Sequence, residues 1–578
     1  MTAAVPVHNA DIAAVFEEIA DLLEIQGENP FRVRAYRNAA RTIGDLPREI
    51  ATLTERGEPL PKLPGIGADL AGKVAEIAAS GSCELLQRLH RALPAAIGEL
   101  LKVPGLGPKR VKALHDALDV TTVEQLAAAA REGRVRDIPG FGEKTELHIL
   151  DALEARAADG KRHKLATARQ YAEALVAFLE RVPGVHAAVV AGSYRRARET
   201  VGDLDVLVTA DAGSGVMDAF CSYDETRNVL VRGDTRCSVV LKSGLQVDLR
   251  RVDPESYGAA LHYFTGSKAH NIAIRRLGQE RGLKINEYGV FRGTRRIAGA
   301  TEASVFESVG LPYIPPELRE DRGEIEAARA GRLPRLLERT DLQGDLHVHT
   351  NATDGRNTLR DMVRAAQAAG LHYVAVTDHS RRLAYARGLD PRRLAKQVDE
   401  IDRLNQELRD IVVLKGIEVD ILEDGTLDLP ARALAPLDLV IGAVHSGFDL
   451  PRRKQTERVL RAMASPHFSG LAHPGGRLIG EREPCELDML AVMRAAKKRG
   501  CFLELNSQPE RLDLQDMYCQ MARDEGVLVS VDSDAHSVYD YAHLQHGVSQ
   551  ARRGWLSARD VINTRPLAAL RELLKHTM

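Results

Sequence analysis

The spacing of apolar positions changes several times along the chain. Residues 1–25, MTAAVPVHNADIAAVFEEIADLLEI, set apolar side chains three and four apart with acids between them, which predicts an amphipathic helix. Helical stretches continue to about residue 150, interrupted by LPGIG at 63–67, VPGLG at 103–107 and IPGFG at 138–142. From about 160 to 255 the period shortens to that of strands, in VHAAVVAG, DLDVLVTA and RCSVVLKSGLQVDLRRV. The last predicts a hairpin turning at Lys242–Gly244. Residues 256–310 read as mixed helix and turn, and 311–344 as a connection rich in proline and charge. Beyond it the strands YVAVTDH, VVLKGIEVDI, LDLVIGAVHS, FSGLAHP, CFLELNS and VLVSVDSDAH alternate with helical patterns such as TLRDMVRAAQAAG. Fully apolar strands alternating with helices predict a parallel sheet or barrel.

Composition narrows this picture only a little. A chain of 578 residues exceeds what one core supports, so several domains are expected. The 79 Lys+Arg nearly balance the 81 Asp+Glu, so any nucleic-acid contact must come from local sites and not from a basic surplus. Six scattered cysteines without a CxxC pair indicate reduced thiols and a cytoplasmic setting. No apolar run is long enough for a bilayer, and the acids near the N-terminus argue against a secretory signal.

The first chemistry lies in GSYRRARETVGDLDVLV, residues 192–208. Strand side chains alternate, so Asp203 and Asp205 face the same way about 7 Å apart. In the hairpin, Leu245, Val247 and Leu249 take one face and Gln246, Asp248 and Arg250 the other. If that strand lies beside the first, Asp248 joins the pair, and three carboxylates suit Mg²⁺. Two such ions clamp the attacking and leaving oxygens of a phosphoryl transfer. Upstream, Gly192 admits a phosphate to the backbone, Ser193 offers a hydroxyl, and Arg195 or Arg196 supplies charge. The three glycine turns (Gly65 and Gly67, Gly105 and Gly107, Gly140 and Gly142) present backbone N–H groups at helix starts, where phosphates bind without side-chain charge. They resemble the helix-hairpin-helix DNA-binding motif.

These residues resemble the nucleotidyltransferase palm of family X DNA polymerases. YFTGSKAHNIAIRRLGQERGLKINEYGVF (263–291) is similar to their thumb, so the resemblance spans roughly residues 8–318. It implies that Asp203, Asp205 and Asp248 are the metal-binding catalytic triad and that Ser193 and Arg196 hold the β,γ-phosphates. It further implies that Tyr263, Phe264 and Gly266 line the sugar pocket, and that Asn271 and Arg275 contact the minor-groove side. Lys73 falls where some relatives have a Schiff-base nucleophile for 5′-deoxyribose phosphate. Asp69 stands in place of a neighbouring phosphate-binding lysine, and its charge argues against efficient lyase activity.

The second half supplies nine strand-end ligands: His347, His349, Asp354, His379, Glu418, His445, His473, Asp534 and His536. Mixed imidazole and carboxylate donors suit Zn²⁺, Mn²⁺ or Fe²⁺, and a cluster of such ions makes hydroxide at neutral pH. Ligands at carboxyl ends of strands lie where a barrel keeps its active site. This half resembles the PHP (polymerase and histidinol phosphatase) domain, which implies a distorted (β/α)₇ barrel with up to three metal ions. Joined to such a polymerase, it implies 3′→5′ exonuclease or related 3′-end and abasic-site processing.

The expected fold is therefore multidomain, α+β followed by α/β. It comprises a helical DNA-binding domain (1–90), helix-hairpin-helix fingers (91–159), a palm (160–255), a thumb (256–318), a linker (319–343) and a PHP phosphoesterase domain (344–578). The expected activity is gap filling in base excision repair on gapped or nicked DNA with dNTPs, using Mg²⁺ or Mn²⁺ at the palm and Mn²⁺ or Zn²⁺ at the cluster. A cytoplasmic monomer without membrane contact is expected. The rival readings are a non-replicative nucleotidyltransferase joined to a small-molecule phosphatase, and a non-catalytic DNA-end scaffold.

Overall fold

The computed structural model describes residues 9–44, 50, 66–103, 106–159, 162–383, 386–575 and 577. Two units emerge. The first comprises residues 1–163 with 242–245; the second comprises 164–241 and 246–578.

The first unit is helical: α1 (Asn9–Ile25), α2 (Pro30–Gly44), α3 (Ala68–Ser80), α4 (Glu84–Ala92), α5 (Pro108–Leu118), α6 (Val123–Arg131) and α7 (Glu143–Asp159). On α1 the residues Ile12, Phe16, Ile19 and Leu23 are fully buried, and their spacing is one helix stripe. Phe16 meets Tyr36 of α2 with ring centroids 5.7 Å apart. At the start of α6, Thr122 and Gln125 form a reciprocal capping box.

The second unit opens with α8 (Leu165–Leu179), which packs on a five-stranded sheet of β1 (Val185–Val190), β2 (Asp203–Ala210), β3 (Thr226–Arg232), β4 (Arg236–Leu241) and β5 (Gln246–Arg251). Spatial order is β1-β2-β5-β4-β3, antiparallel except for the parallel pair β2 and β5. The hairpin is β4 and β5. The edge strand β3 has no counterpart in the sequence pattern, because nearly all its residues are exposed and none alternates inward.

Residues 256–310 hold α9 (Tyr257–Thr265), α10 (Lys268–Glu280) and α11 (Glu302–Ser308). They also hold a three-stranded antiparallel sheet, β6 (Lys284–Asn286), β7 (Gly289–Arg292) and β8 (Arg295–Ala298), where the pattern predicts only helix and turn. Strands of three or four residues are too short to display a period of two.

The remainder is a parallel sheet of seven strands in chain order: β9 (Gly344–Val348), β10 (Tyr373–Val376), β11 (Val412–Asp420), β12 (Leu439–Ala443), β13 (Gly470–Leu471), β14 (Phe502–Asn506) and β15 (Val529–Asp532). A parallel bridge between Val348 and Ala535 brings the first strand back to the last, giving a nearly closed barrel. The covering helices include α12 (Leu359–Ala368), α13 (Pro391–Glu407), α14 (Arg452–Met463), α15 (Met489–Arg499), α16 (Asp516–Glu525) and α17 (Leu544–Arg553). Gly344 lies opposite Tyr373, and Gly470 opposite Phe502. A Cβ at either glycine would come within 2.0 or 2.4 Å of the facing ring, so the aromatic rings fill the space beside them.

The connection at 311–337 is packed, not free. Leu311, Ile314, Leu318, Ile325 and Leu336 share a buried cluster with Ile274 and Leu277 of α10 and with Trp555 beyond α17. Among the described residues, no helix is long and apolar enough to cross a membrane.

Candidate functional site

The register of β2 and β5 sets Asp205 opposite Asp248, with Asp203 two residues earlier on β2. Partners in adjacent strands project to the same side, so the three carboxylates share one face. The alternating Leu204, Val206, Val247 and Leu249 are fully buried on the other. Burial, then the charges of Asp203 and Asp248, push the Asp205 carboxyl up to about 6. Asp248 accepts a hydrogen bond from the Ser238 hydroxyl and lies 3.8 Å from the Arg236 guanidinium. Like charges gathered on one face, with the proton on Asp205 favoured, form a donor set that a divalent cation fits.

Gly192 has φ +62° in the turn after β1, and a Cβ there would lie 2.6 Å from Asp205 Oδ2. The positive φ favours glycine, and a Cβ would also have to push the Asp205 carboxylate aside. Ser193 and Arg195 belong to the one-turn helix Gly192–Arg195 that follows. Of the two arginines that spacing leaves open, Arg195 turns to Glu302, at 2.8 and 2.6 Å, and to the Thr265 hydroxyl at 2.8 Å. Arg196 donates Nε to Glu320 at 3.1 Å and Nη1 to the Thr265 carbonyl at 2.6 Å, and packs against Gly266.

Tyr263 and Phe264 meet edge to face at 5.0 Å. Arg275 stacks over Tyr263 at 5.0 Å, and Arg250 over Phe264 at 4.4 Å. Arg250 thus rests on an aromatic face as well as offsetting the carboxylates. Asn271 donates Nδ2 to the Tyr263 carbonyl at 2.7 Å, and its Oδ1 is buried without a partner. Gly266, with φ +69°, ends α9, and Ser267 caps α10.

In the first unit, Gly67 and Gly107 are the N-cap residues of α3 and α5, with no side chain capping either helix. Gly140 adopts φ +88° and Gly142 precedes α7; nothing lies within 4 Å of a Cβ built at any of these four. Gly65 and Gly105 lie outside the described residues. The Lys73 ammonium sits 2.5 Å from Asp69. Burial pulls its pKa down, but the Asp69 hydrogen bond and Tyr36 outweigh it and the net shift is upward. A lysine held charged keeps its lone pair from Schiff-base attack.

In the barrel the nine predicted ligands converge. His347 lies in β9 and His349 just beyond it; His379, His445, His473 and Asp534 follow β10, β12, β13 and β15, and Glu418 lies near the end of β11. Three donor groups form: His349 with Asp354, His379 and His536; His347 with His349 and Asp534; His379 with Glu418 and His445. His473 Nε2 is 2.9 Å from Glu418. Among the described residues, these are the groups in which at least three donor atoms lie within 4.8 Å of one another. His347 Nε2 and His349 Nε2 make no hydrogen bond, although carboxylate oxygens of Glu418 and Asp534 stand 3.1 to 3.7 Å away. Lone pairs facing one another across such gaps fit metal ions, whose bonds to these donors are about 2.0–2.2 Å.

The electrostatics differ around the cluster. Burial, then His536 and His379, lower the His349 pKa to about 4, so this shared ring is neutral as a ligand must be. At His379 burial is outweighed by Glu418, and the ring is held well above the ordinary imidazole range. Asp534 and His473 adopt positive φ, +52° and +26°, unusual for residues with a Cβ and concentrated at functional sites.

Two buried acids that sequence reasoning left unassigned orient the candidate ligands. Glu504 lies 2.6 Å from His347 Nδ1 and accepts from the His473 backbone N–H at 2.6 Å. Asp420 holds His445 Nδ1 at 3.1 Å. Each fixes which ring nitrogen faces the cluster.

Family models match the chain in five places: a helix-hairpin-helix domain at 7–83, a SAM-like helix-hairpin-helix tandem at 97–155, the DNA polymerase beta palm at 166–254, the DNA polymerase beta thumb at 260–320 and the PHP domain at 345–508. A Bacillus subtilis (strain 168) protein named DNA polymerase/3′-5′ exonuclease PolX is 37% identical over 98% of this chain and 99% of its own length. A Thermoanaerobacter sp. (strain X514) protein named "probable phosphatase" is 27% identical over 40% of this chain and 94% of its own. A solved ternary complex of Leishmania infantum polymerase beta is 24% identical, covers 39% of this chain and 98% of that chain, and has a TM-score of 0.26. Matched almost end to end by one relative, and by palm, thumb and PHP models in the same order along the chain, this protein belongs to the bacterial family X DNA polymerases that carry a C-terminal PHP domain.

Proposed function

We propose that the chain fills short gaps during DNA repair, joining the α-phosphate of a dNTP to a primer 3′-OH at the face of Asp203, Asp205 and Asp248. The PHP cluster hydrolyses phosphoesters at 3′ ends or abasic sites, removing nucleotides in the 3′→5′ direction. The register that sets Asp205 opposite Asp248 carries the reading, because it gathers the three acids on one face.

The three palm acids would hold Mg²⁺ or Mn²⁺, and the nine barrel residues Mn²⁺ or Zn²⁺, up to three ions. Divalent cations bound there supply charge neutralisation for the attacking and leaving oxygens and, in the barrel, an acidified water. The protein's own part is positioning. Gly192 and Ser193 offer backbone and hydroxyl to the triphosphate, and Arg196 binds its β,γ-phosphates. Tyr263, Phe264 and Gly266 bound the sugar, and Asn271 and Arg275 face the minor groove. Glycine turns at 65–67, 105–107 and 140–142 grip the phosphates of gapped or nicked DNA. We read the chain as a cytoplasmic monomer, with the six-part division at 90, 159, 255, 318 and 343.

Primer extension on a one-nucleotide gap tests the assignment. Asp205→Ala should abolish synthesis and leave Mn²⁺-dependent degradation intact, while His473→Ala should do the reverse. If both variants lose both activities, the two-site reading is wrong. Because the PHP half is also similar to proteins named as phosphatases, histidinol phosphate belongs in the same assay. Its hydrolysis without attack on DNA ends would assign that half to a small molecule.

A further inference from the structure

The best-buried ion pairs in the second unit include one that joins the palm to the barrel through Arg196. Glu320, between the thumb and the barrel, accepts from Arg196 Nε at 3.1 Å and from Arg553 Nη1 at 2.9 Å. Arg553, the last residue of α17 in the PHP half, also donates Nη1 to the Arg196 carbonyl at 2.7 Å and Nη2 to Asp516 at 2.7 Å. The Arg553 side chain is 3% exposed and that of Glu320 10%. Arg553 therefore holds Arg196 twice, by its main chain and by the carboxylate that fixes its side chain.

An arginine has five N–H donors in a rigid planar fork. Two of those on Arg196 are engaged, one by Glu320 and one by the Thr265 carbonyl. The engaged pair lock the plane of the guanidinium and leave the remaining donors for a ligand. Without Glu320 the fork would be anchored at the Thr265 carbonyl alone. Without Arg553, Glu320 would be a buried anion with one cation where it now has two, and the carbonyl of Arg196 would lose its donor.

We propose that Glu320 and Arg553 are positioning residues for Arg196, so that the PHP half completes the triphosphate site of the polymerase half. The inference rests on the reading of Arg196 as a β,γ-phosphate ligand. Other pairs joining the same parts of the chain, Arg552 with Glu317 at 2.7 Å and Arg477 with Glu199 at 2.6 Å, do not touch Arg196 and serve as the comparison.

The effect reaches nucleotide binding through the β,γ-phosphates, which also form the pyrophosphate that leaves the α-phosphate as the new bond is made. Misplacing a binding group by about 1 Å costs as much as a hundredfold. In the full-length chain, Glu320→Gln keeps shape and removes charge. Arg553→Lys keeps charge, but one ammonium cannot span Glu320, Asp516 and the Arg196 carbonyl together. Both should raise the KM for dNTP in gap filling roughly tenfold to a hundredfold. Affinity for gapped DNA and 3′→5′ degradation should change little. Arg552→Ala should leave the KM for dNTP unchanged. A wild-type KM in both folded variants, or an equal rise in Arg552→Ala, overturns the proposal. An unchanged KM in Arg196→Ala overturns the reading of Arg196 itself, and the proposal with it.

Discussion

Asp205 carries the sharpest consequence of any one side chain. Its carboxyl is raised from the usual 3.8 to about 6, chiefly by burial and then by Asp203 and Asp248. For an acid so raised the ionised form is penalised in the fold, so the group costs stability above pH 6 and that cost fades between 6 and 4. Protons then compete with cations for the same oxygens. The Mg²⁺ concentration for half-maximal gap filling should climb as pH falls from 7 to 5, bending near 6. A bend near 4 would mean that neither burial nor the neighbouring acids raise this carboxyl. At this scale the sequence was informative where a residue's position on its own strand decides its direction, as for Asp203, Asp205 and the strand-end histidines. It was silent where a distant partner decides. Arg195 and Arg196 are adjacent, and only Glu302 and Glu320, more than a hundred residues on, turn one away and orient the other. Glu504 and Asp420 are acids within apolar strands, and their role appears only beside His347 and His445.

Among the elements, the short strand β13 holds two constraints together. Gly470 faces the Phe502 ring across the β13–β14 pair, and His473 follows three residues later. Gly470→Ala pushes a methyl into that ring, and overpacking of this kind costs about 1–3 kcal/mol. Thermal or urea denaturation should show the loss, with degradation of 3′ ends falling more than gap filling because β13 leads into the His473 loop. The barrel's alternation of strand and helix was legible because fully apolar strands between amphipathic helices have few other readings. The thumb sheet and β3 were not. Their residues are exposed or charged at most positions, so nothing in their hydrophobic spacing announces pairing.

In the whole molecule the proline-rich stretch after the thumb is part of a core. Its apolar residues share that core with α10 and Trp555, and Arg552 and Arg553 reach back to Glu317 and Glu320. Truncation after residue 343 should therefore leave a polymerase half with an exposed apolar patch, Glu317 without its arginine and Glu320 with one cation in place of two, lowering its melting temperature and its yield of soluble protein. A fragment as stable as the full chain would contradict this packing. Composition made the stretch look like a spacer, because its buried positions are spaced irregularly among charges and follow neither helix nor strand.

The same packing constrains traffic between the two chemistries. Palm and barrel belong to one compact unit, so a 3′ end passing between synthesis and hydrolysis stays on a single body of the chain.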